Sequence, residues 1–184
     1  MHKGTVGIDE AGRGPLAGPM VIAAVMDIDP KLLRGIRDSK KLSPRARDTW
    51  YALIKKNGTA RYVSISARRV DTKGITRCAR EGIAALLKKF PKRPSLVLMD
   101  GNLYAPREYA QRTIIKGDEK IPLIAAASVI AKVTRDRHMV RVAKKYSKYN
   151  FSVHKGYGTA SHIRAIRKHG LSTLHRKSFC KNFI

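Results

Sequence analysis

Two adjacent carboxylates, Asp9 and Glu10, close a short apolar segment near the start of the chain. Acids are rare in this sequence, which has 13 acidic and 39 basic residues. The residues that follow, Gly12, Arg13 and Gly14, form a glycine-rich stretch whose bare backbone a ligand can approach closely. A carboxylate pair beside such a stretch suggests a divalent cation held next to a nucleic-acid backbone.

Two further carboxylates share this context. Asp100 follows the apolar run 95–99, and Asp118 follows the strand-like segment 111–116. Ligands collect at strand ends in open sheets, so acids that are distant in sequence can converge there. Converging carboxylates repel one another unless cations neutralise them, and Mg²⁺ prefers such oxygen ligands. Two ions about 3.5–4 Å apart would activate water and stabilise the leaving oxygen of a phosphodiester. For each acid alone, strand-end capping or a salt bridge is the alternative.

The adjacency of Asp9 and Glu10 poses a geometric problem, because neighbouring residues on a strand point to opposite faces. Both can face one cation only if the strand ends or bulges at the glycines, or if the longer Glu10 side chain bends around. Asp136 has a different context, since Arg135 and Arg137 flank it on a helical segment. For Asp136 we predict an ion pair that orders local side chains.

The composition bounds the class of protein. With 184 residues, we expect a single domain over 1–184, with residues from about 150 to 184 as a small C-terminal lobe. The net charge of +26 favours a polyanionic partner, foremost nucleic acid and second an anionic membrane. A compositional bias that spreads lysine over solvated faces is the alternative explanation of its size.

Cysteine usage and hydropathy favour a cytoplasmic protein that does not enter a membrane. Cys78 and Cys180 are far apart and have neither disulfide-framework nor zinc-site spacing. The sequence has no apolar run near the ~18 residues that span a bilayer, and no secretory signal at its start. His154 and His162 also lack zinc-like spacing, and we assign them structural or phosphate-contact roles.

Hydrophobic periodicity predicts strands that alternate with helices, which is typical of an α/β or α+β fold with helices against a mixed sheet. Ser43 and Pro44 have the types of an N-cap and a first helical residue, and glycines follow two of the helical segments. The predicted strands cover residues 4–8, 20–28, 61–66, 95–99 and 111–116. The predicted helices cover residues 44–56, 75–90, 122–146 and 160–169.

Six segments, in order along almost the whole chain, resemble those of the type 2 ribonuclease H (ribonuclease HII) family. They are 7–15, 38–42, 99–101, 116–118, 126–137 and 154–159. The resemblance implies a ribonuclease H-like fold, with a central mixed β-sheet flanked by helices and a short helical C-terminal segment. It implies metal-dependent hydrolysis of RNA in RNA–DNA hybrids. It also implies incision 5′ of single ribonucleotides in duplex DNA, leaving 3′-hydroxyl and 5′-phosphate ends, as in ribonucleotide excision repair and DNA replication.

The resemblance also implies roles for individual residues. The positions that match the family's catalytic acids, which bind Mg²⁺ or Mn²⁺, are Asp9, Glu10, Asp100 and Asp118. The positions that match its substrate contacts are Gly12, Arg13 and Gly14, at the ribonucleotide 2′-hydroxyl, and Tyr157, on the neighbouring deoxyribose. Ser39 and Lys40 are expected to contact substrate phosphates, as are Lys41, Arg45 and Lys155, with solvated surface as the alternative. The chain departs from the family at Lys181, where a proline usually stands.

Two rival functions remain open at this point. Another nuclease of the same fold class, such as a resolvase or transposase core, would share the acids but would need neither the glycines at 12 and 14 nor Tyr157. A non-catalytic basic RNA-binding protein would explain the charge but would leave the acids without a purpose. We expect a monomer, and the sequence leaves open whether a sliding clamp or another replication protein recruits it.

Overall fold

A computed structural model describes residues 4–36 and 42–184 and shows one mixed sheet with the strand order β3-β2-β1-β4-β5. The strands are β1 (Thr5–Ala11), β2 (Met20–Met26), β3 (Thr59–Ile65), β4 (Leu96–Asp100) and β5 (Gln111–Ile114). β1, β2 and β3 are antiparallel neighbours, whereas β1, β4 and β5 run parallel. The carboxyl ends of β1, β4 and β5 therefore lie side by side at the same end of the sheet.

The described residues form seven α-helices. They are α1 (Pro44–Asn57), α2 (Ala67–Lys73), α3 (Ile75–Leu87), α4 (Gly117–Lys120), α5 (Pro122–Ala143), α6 (Phe151–His154) and α7 (Ala160–His169). Of these, α1, α3 and α5 pack against this sheet. The predicted start of α1 is confirmed, because the Ser43 side chain accepts a hydrogen bond from the Ala46 amide. Two predicted helices end earlier than expected, at Leu87 and Ala143. Phe90 and Tyr146 extend the apolar pattern, but they pack on the core from turns beyond each helix.

Strand β2 is an apolar run that is covered on both faces of the sheet. Every residue from Met20 to Met26 is buried, and alternate side chains enter two different core clusters. Ile22 packs with Ile83 of α3 on one face, whereas Ala23 joins the cluster that contains α5 on the other. Continuous burial of this kind is what makes a strand apolar throughout instead of alternating.

The start of α5 lies directly on the backbone of β1. A Cβ atom at Gly7 would come within 2.4 Å of the Leu123 carbonyl oxygen, so no larger residue fits without displacing the helix. The buried small residues at 125–128 allow the same close approach on the helix side. This contact brings Ser128 next to Asp9 on β1.

The C-terminal part packs around two smaller clusters. Phe151 and Met139 lie in one, and Ile166 and Cys180 lie in the other with Leu16. The tail is anchored although it lacks the family's proline, because the amide and hydroxyl of Ser178 both donate to the Asp71 carboxylate. Within the described ranges, no helix is both long enough and apolar enough to cross a bilayer.

Candidate active site

The first two acids lie on a regular part of β1. The strand continues to Ala11, and Asp9 and Glu10 pair in register with Ala23 and Ile22 of β2. The strand is thus regular through this pair, without a bulge, and it ends directly before the glycines, as one of the expected arrangements requires. The Asp9 side chain is buried toward α5, whereas Glu10 lines an open cleft.

The carboxyl group of Asp9 is held in an environment that opposes its negative charge. Its pKa is raised well above the usual value, first by burial and then by the charges of Glu10 and Asp100. Hydrogen bonds from Ser128 and from the Glu10 amide, the latter at 2.7 Å, act in the opposite direction. The three acids are thus close enough to repel one another, and a cation placed among them would relieve this repulsion.

Asp100 and Asp118 are joined through a short helix. The Asp100 carboxylate accepts a 2.6 Å hydrogen bond from the amide of Gly117, the first residue of α4. Asp118 is the second residue of this helix and is buried. The prediction that Asp118 lies at a strand end is therefore wrong, because β5 stops at Ile114 and the chain turns into α4 before the acid.

Among residues 4–36 and 42–184, no three His, Cys, Asp or Glu side chains form a group arranged to hold a metal ion. Three of the acids each contact a different group of the protein. Asp9 is turned to Ser128, Asp100 to Gly117, and Glu10 lies 3.4 Å from the Arg13 guanidinium. In chemistry the donors fit a hard divalent cation, since all are carboxylate oxygens.

A buried arginine binds the carbonyl oxygens of the glycine-rich segment 12–14. Arg176 donates hydrogen bonds to the carbonyl oxygens of Gly12 at 2.7 Å and of Arg13 at 2.8 Å. In a trans peptide the amide N–H points away from the carbonyl, so the amides of Arg13 and Gly14 lie on the opposite side of the loop from Arg176. Gly12 has a φ of +95°, which an L-amino acid adopts only with strain.

A second buried arginine connects this loop to the C-terminal part. Arg135 on α5 donates from Nε to the Pro19 carbonyl at 2.9 Å and from Nη2 to the Lys155 carbonyl at 3.0 Å. Its guanidinium also lies 5.4 Å from the centre of the Tyr157 ring. Burial lowers the pKa of Arg135. Burial, followed by the charge of Arg135, lowers the pKa of Arg176 to about 10, so Arg176 remains cationic at neutral pH.

One cleft of about 570 Å³ brings several of the predicted residues together. It is lined by Glu10, Ala11, Gly12, Arg13, Gly14, Arg47, Ser128, Lys132 and Tyr157. Tyr157 is 40% exposed, and the Lys132 ammonium lies 5.6 Å from the centre of its ring. Ser39 and Lys40, with Asp38 and Lys41, lie outside the described residues.

Sequence patterns missed three of the residues that line this cleft. Ser128 and Lys132 are one helical turn apart in the segment 126–137, and this i, i+4 spacing could have marked them as one face of a helix. Arg47 carries no signal that distinguishes it from the many other basic residues. The ion pair predicted for Asp136 is present, but its partner is Lys132, at 3.0 Å, and not a neighbouring arginine.

A second groove of about 550 Å³ runs between α1 and α5 and shares Arg47 with the cleft. Its basic residues include Arg137, Arg141, Lys144 and Lys155. Lys155 was predicted to contact phosphate, and the structure places it beside this groove, two residues before Tyr157. The groove thus continues the positively charged surface from the cleft along α5.

Comparison with known proteins agrees with the sequence resemblance. The Ribonuclease HII family model matches residues 6–182. The chain is 41% identical over 179 residues to ribonuclease HII of Caldicellulosiruptor bescii, covering 97% of this chain and 87% of the relative. It is 42% identical over 177 residues to ribonuclease HII of Sulfurovum sp., covering 96% and 92%.

Solved structures share the fold. A ribonuclease H2 from Pyrococcus horikoshii matches with a TM-score of 0.80 at 24% identity, covering 97% of this chain and 96% of that one. The PCNA:RNase HII complex from Archaeoglobus fulgidus gives a TM-score of 0.80 at 27% identity, with 97% and 96% covered. The predicted α/β ribonuclease H-like fold, with its mixed sheet flanked by helices, is confirmed.

Proposed function

Since the chain belongs to the ribonuclease HII family, and is thus a type 2 ribonuclease H that hydrolyses RNA in RNA–DNA hybrids, we propose that it also incises 5′ of single ribonucleotides in duplex DNA. The products are a 3′-hydroxyl and a 5′-phosphate. One observation carries this proposal: a single cleft is lined by an acid, a glycine-rich backbone segment and a half-exposed tyrosine. These are the groups that hydrolysis, recognition of a 2′-hydroxyl and contact with a sugar require.

The four acids hold the divalent cation in this proposal, with Mg²⁺ or Mn²⁺ as the ion. They are Asp9, Glu10, Asp100 and Asp118. When bound, such ions supply an activated water and stabilise the departing 3′-oxygen. The raised pKa of Asp9 supports this role, because burial beside two other acids favours any partner that neutralises them. We expect Glu10 and Asp100 to turn from Arg13 and Gly117 toward the ion.

Recognition of the ribonucleotide falls to the loop and to Tyr157. The amides of Arg13 and Gly14, turned away from Arg176, are donors that can reach a 2′-hydroxyl, the group that distinguishes RNA from DNA. The Tyr157 ring packs on the next sugar, where a missing 2′-oxygen allows close contact. Ser39 and Lys40 are proposed to bind flanking phosphates, as is Lys132 at the cleft wall.

The cellular setting is also part of the proposal. We place the enzyme in the cytoplasm as a monomer of one domain, acting in ribonucleotide excision repair and DNA replication, with residues 150–184 as a substrate-binding lobe. Cys78 and Cys180 are both free and buried, which suits a reducing compartment. A sliding clamp is the partner to test first, because one structural relative was solved as a PCNA:RNase HII complex.

The rival functions each leave part of this site unused. A nuclease of the resolvase or transposase type has no need for a loop whose carbonyls are tied down by Arg176. A basic RNA-binding protein has no need to bury Asp9 beside two other acids, an arrangement that destabilises the protein without a cation. The ribonuclease proposal uses both features.

Cleavage of a duplex that carries one ribonucleotide tests the proposal directly. The assay has arms with Mg²⁺, Mn²⁺ and chelator, and compares Asp9→Asn and Asp100→Asn with the exposed control Asp29→Asn. We expect cuts only with metal, on the 5′ side of the ribonucleotide, and complete loss in the first two variants while nucleic-acid binding survives. Cleavage by either variant at the wild-type rate contradicts the assignment of the acids.

Thermal unfolding provides a second measurement that does not depend on activity. Without metal, Asp9→Asn should raise Tm, because it removes a buried negative charge from beside Glu10 and Asp100. Added Mn²⁺ should stabilise the wild type and Asp29→Asn by mass action, and stabilise Asp9→Asn much less. An equal Mn²⁺-induced shift in all three proteins places the cation elsewhere.

A further inference from the structure

Three histidines lie together in the C-terminal part, behind the segment that carries Tyr157. The rings of His154 and His162 are stacked with centroids 4.3 Å apart, and Nε2 of His162 lies 3.1 Å from Nε2 of His175. All three are buried, and the Phe151 ring lies within 6 Å of each of them, at 5.9, 5.4 and 5.7 Å. The active-site chemistry described above uses none of them.

The partners of each ring determine which nitrogen carries the proton. Nδ1 of His175 accepts from the Ser172 amide at 2.9 Å, so its proton must be on Nε2. Nδ1 of His162 lies 2.9 Å from the Tyr157 carbonyl, which can only accept, so the proton of His162 is on Nδ1. The facing Nε2 atoms are then one donor and one acceptor, and the hydrogen bond from His175 to His162 is satisfied.

This chain of hydrogen bonds ends on the backbone of Tyr157. The Tyr157 carbonyl accepts from His162 and from the Thr159 amide at 2.8 Å, while its own amide donates to the His154 carbonyl at 2.9 Å. Both sides of the residue are therefore fixed by groups within the C-terminal part. A residue held at both its amide and its carbonyl has little freedom to move its backbone, and this fixes the direction in which its side chain leaves the chain.

We propose that His162 and His175 are positioning residues, a neutral two-histidine relay that fixes the Tyr157 backbone and so directs its ring into the cleft. The relay rests on the proposed function of Tyr157 as the residue that reads the sugar beside the ribonucleotide. It requires both rings to be uncharged. A second proton on His162 would lie on Nε2 and face the Nε2–H of His175 at 3.1 Å, and a second proton on His175 would lie on Nδ1 and face the Ser172 amide at 2.9 Å.

The surroundings of the relay favour the neutral forms. His162 faces the rings of His154 and Phe151, and His175 faces the rings of Tyr149 and Phe151. Lys155, whose charge acts on His154, and Arg176, which follows His175 in the chain, are both cationic. Burial, reinforced by the neighbouring histidines, lowers the pKa of both His162 and His175 to about 4. At neutral pH the relay is thus intact, and it breaks as the pH approaches 4.

Nuclear magnetic resonance of the imidazole nitrogens in the wild-type protein tests the relay without any assumption about activity. At pH 7 we expect His162 as the Nδ1–H tautomer and His175 as the Nε2–H tautomer, with His154 also Nε2–H because it faces the Tyr149 carbonyl. The same tautomer at 162 and 175, or a charged ring at either position, overturns the proposal.

Variants test the link to the substrate. His162→Leu removes the donor to Tyr157, His162→Asn restores a donor near the Nδ1 position, and His169→Leu changes an exposed histidine at the end of the same helix. We measure kcat and KM on a duplex with one ribonucleotide and on a continuous hybrid. The expected result is a roughly fivefold loss of preference for the first substrate in His162→Leu, the effect of one hydrogen bond. Recovery in His162→Asn and no change in His169→Leu complete the expectation.

A double variant separates this inference from the proposed function on which it rests. In a Tyr157→Ala background, His162→Leu should cause no further loss of preference, because the relay acts only through the tyrosine. An additional loss of similar size overturns the relay. If Tyr157→Ala itself leaves the preference unchanged, the proposed role of Tyr157 fails, while the tautomers measured by NMR still decide whether the relay exists.

Discussion

Replacement by alanine is predicted to affect stability differently at the two glycines of the loop beside the carboxylates, Gly12 and Gly14. Gly12 has a φ of +95°, and a Cβ there would lie 2.3 Å from Arg135 Nε and 2.6 Å from the Pro19 carbonyl oxygen. Gly14 has no such backbone conformation, and no atom lies within 4 Å of its added Cβ. The fold therefore requires glycine at position 12, whereas a requirement at position 14 must come from the substrate.

The cost of Gly12→Ala can be built from two parts. The strained backbone costs about 1–3 kcal/mol. The methyl group also falls on the hydrogen bond from Arg135 to Pro19, which is 2.9 Å long and buried, and loss of such a bond costs about 1–3 kcal/mol more. A total of roughly 2–6 kcal/mol corresponds to a fall in Tm of about 5–20 °C for a chain of this size.

Thermal unfolding by circular dichroism, combined with cleavage of a duplex that carries one ribonucleotide, measures both effects. Gly12→Ala should lose stability and activity together. Gly14→Ala should unfold within about 2 °C of the wild type and still lose most of its incision activity, because the added methyl group blocks the approach of the 2′-hydroxyl. Equal losses of Tm in the two variants, or full activity in Gly14→Ala, refute this reasoning.

Three other predictions concern the tyrosine, the charge and the buried histidines. Tyr157→Ala should lose roughly tenfold more activity at a single ribonucleotide than on a continuous hybrid, and equal losses on the two substrates remove its role as the residue that reads the junction. Affinity for a hybrid should fall about a thousandfold between roughly 50 and 200 mM salt, since each neutralised phosphate releases counterions; a flat titration in filter binding means that the basic residues face away from the substrate. In the folded protein the pKa values of His162 and His175 are lowered from 6.5 to about 4, so the unfolded chain binds more protons between these two pH values. The contribution of the two neutral histidines to stability is therefore fully present above about pH 6.5 and is lost as the pH falls toward 4. Urea unfolding should show a loss of up to about 3 kcal/mol per histidine over this range, and a stability that does not change between pH 4 and 6.5 contradicts the buried neutral histidines.

The sequence by itself determined the family, the fold class and most of the secondary structure. Local signals were sufficient where a local physical cause operates, as at Ser43 and Pro44, which begin α1, and at Gly170, which ends α7. They failed by a few residues where apolar side chains continue beyond a helix. Phe90 and Tyr146 extend the periodic pattern, yet they pack from turns because tertiary contacts hold them there.

Only the tertiary structure decided how the candidate site is supported. The regular course of β1 through Asp9 and Glu10 depends on pairing with β2, and no local feature of the sequence indicates it. The position of Asp118 on α4 depends on the hydrogen bond that the Asp100 carboxylate accepts from the Gly117 amide. Hydrogen bonds of this kind join residues distant in sequence, so spacing cannot predict them.

The same reason separates the roles of chemically similar residues. Arg135 and Arg176 look like two more basic residues among 39, but folding removes both from water and turns them onto backbone carbonyls. His162 and His175 have no spacing that suggests a pair, and their rings meet only because α7 and the tail pack around Phe151. Residue types can be read from the chain, whereas burial and partners, which determine charge state and orientation, exist only after the chain has folded.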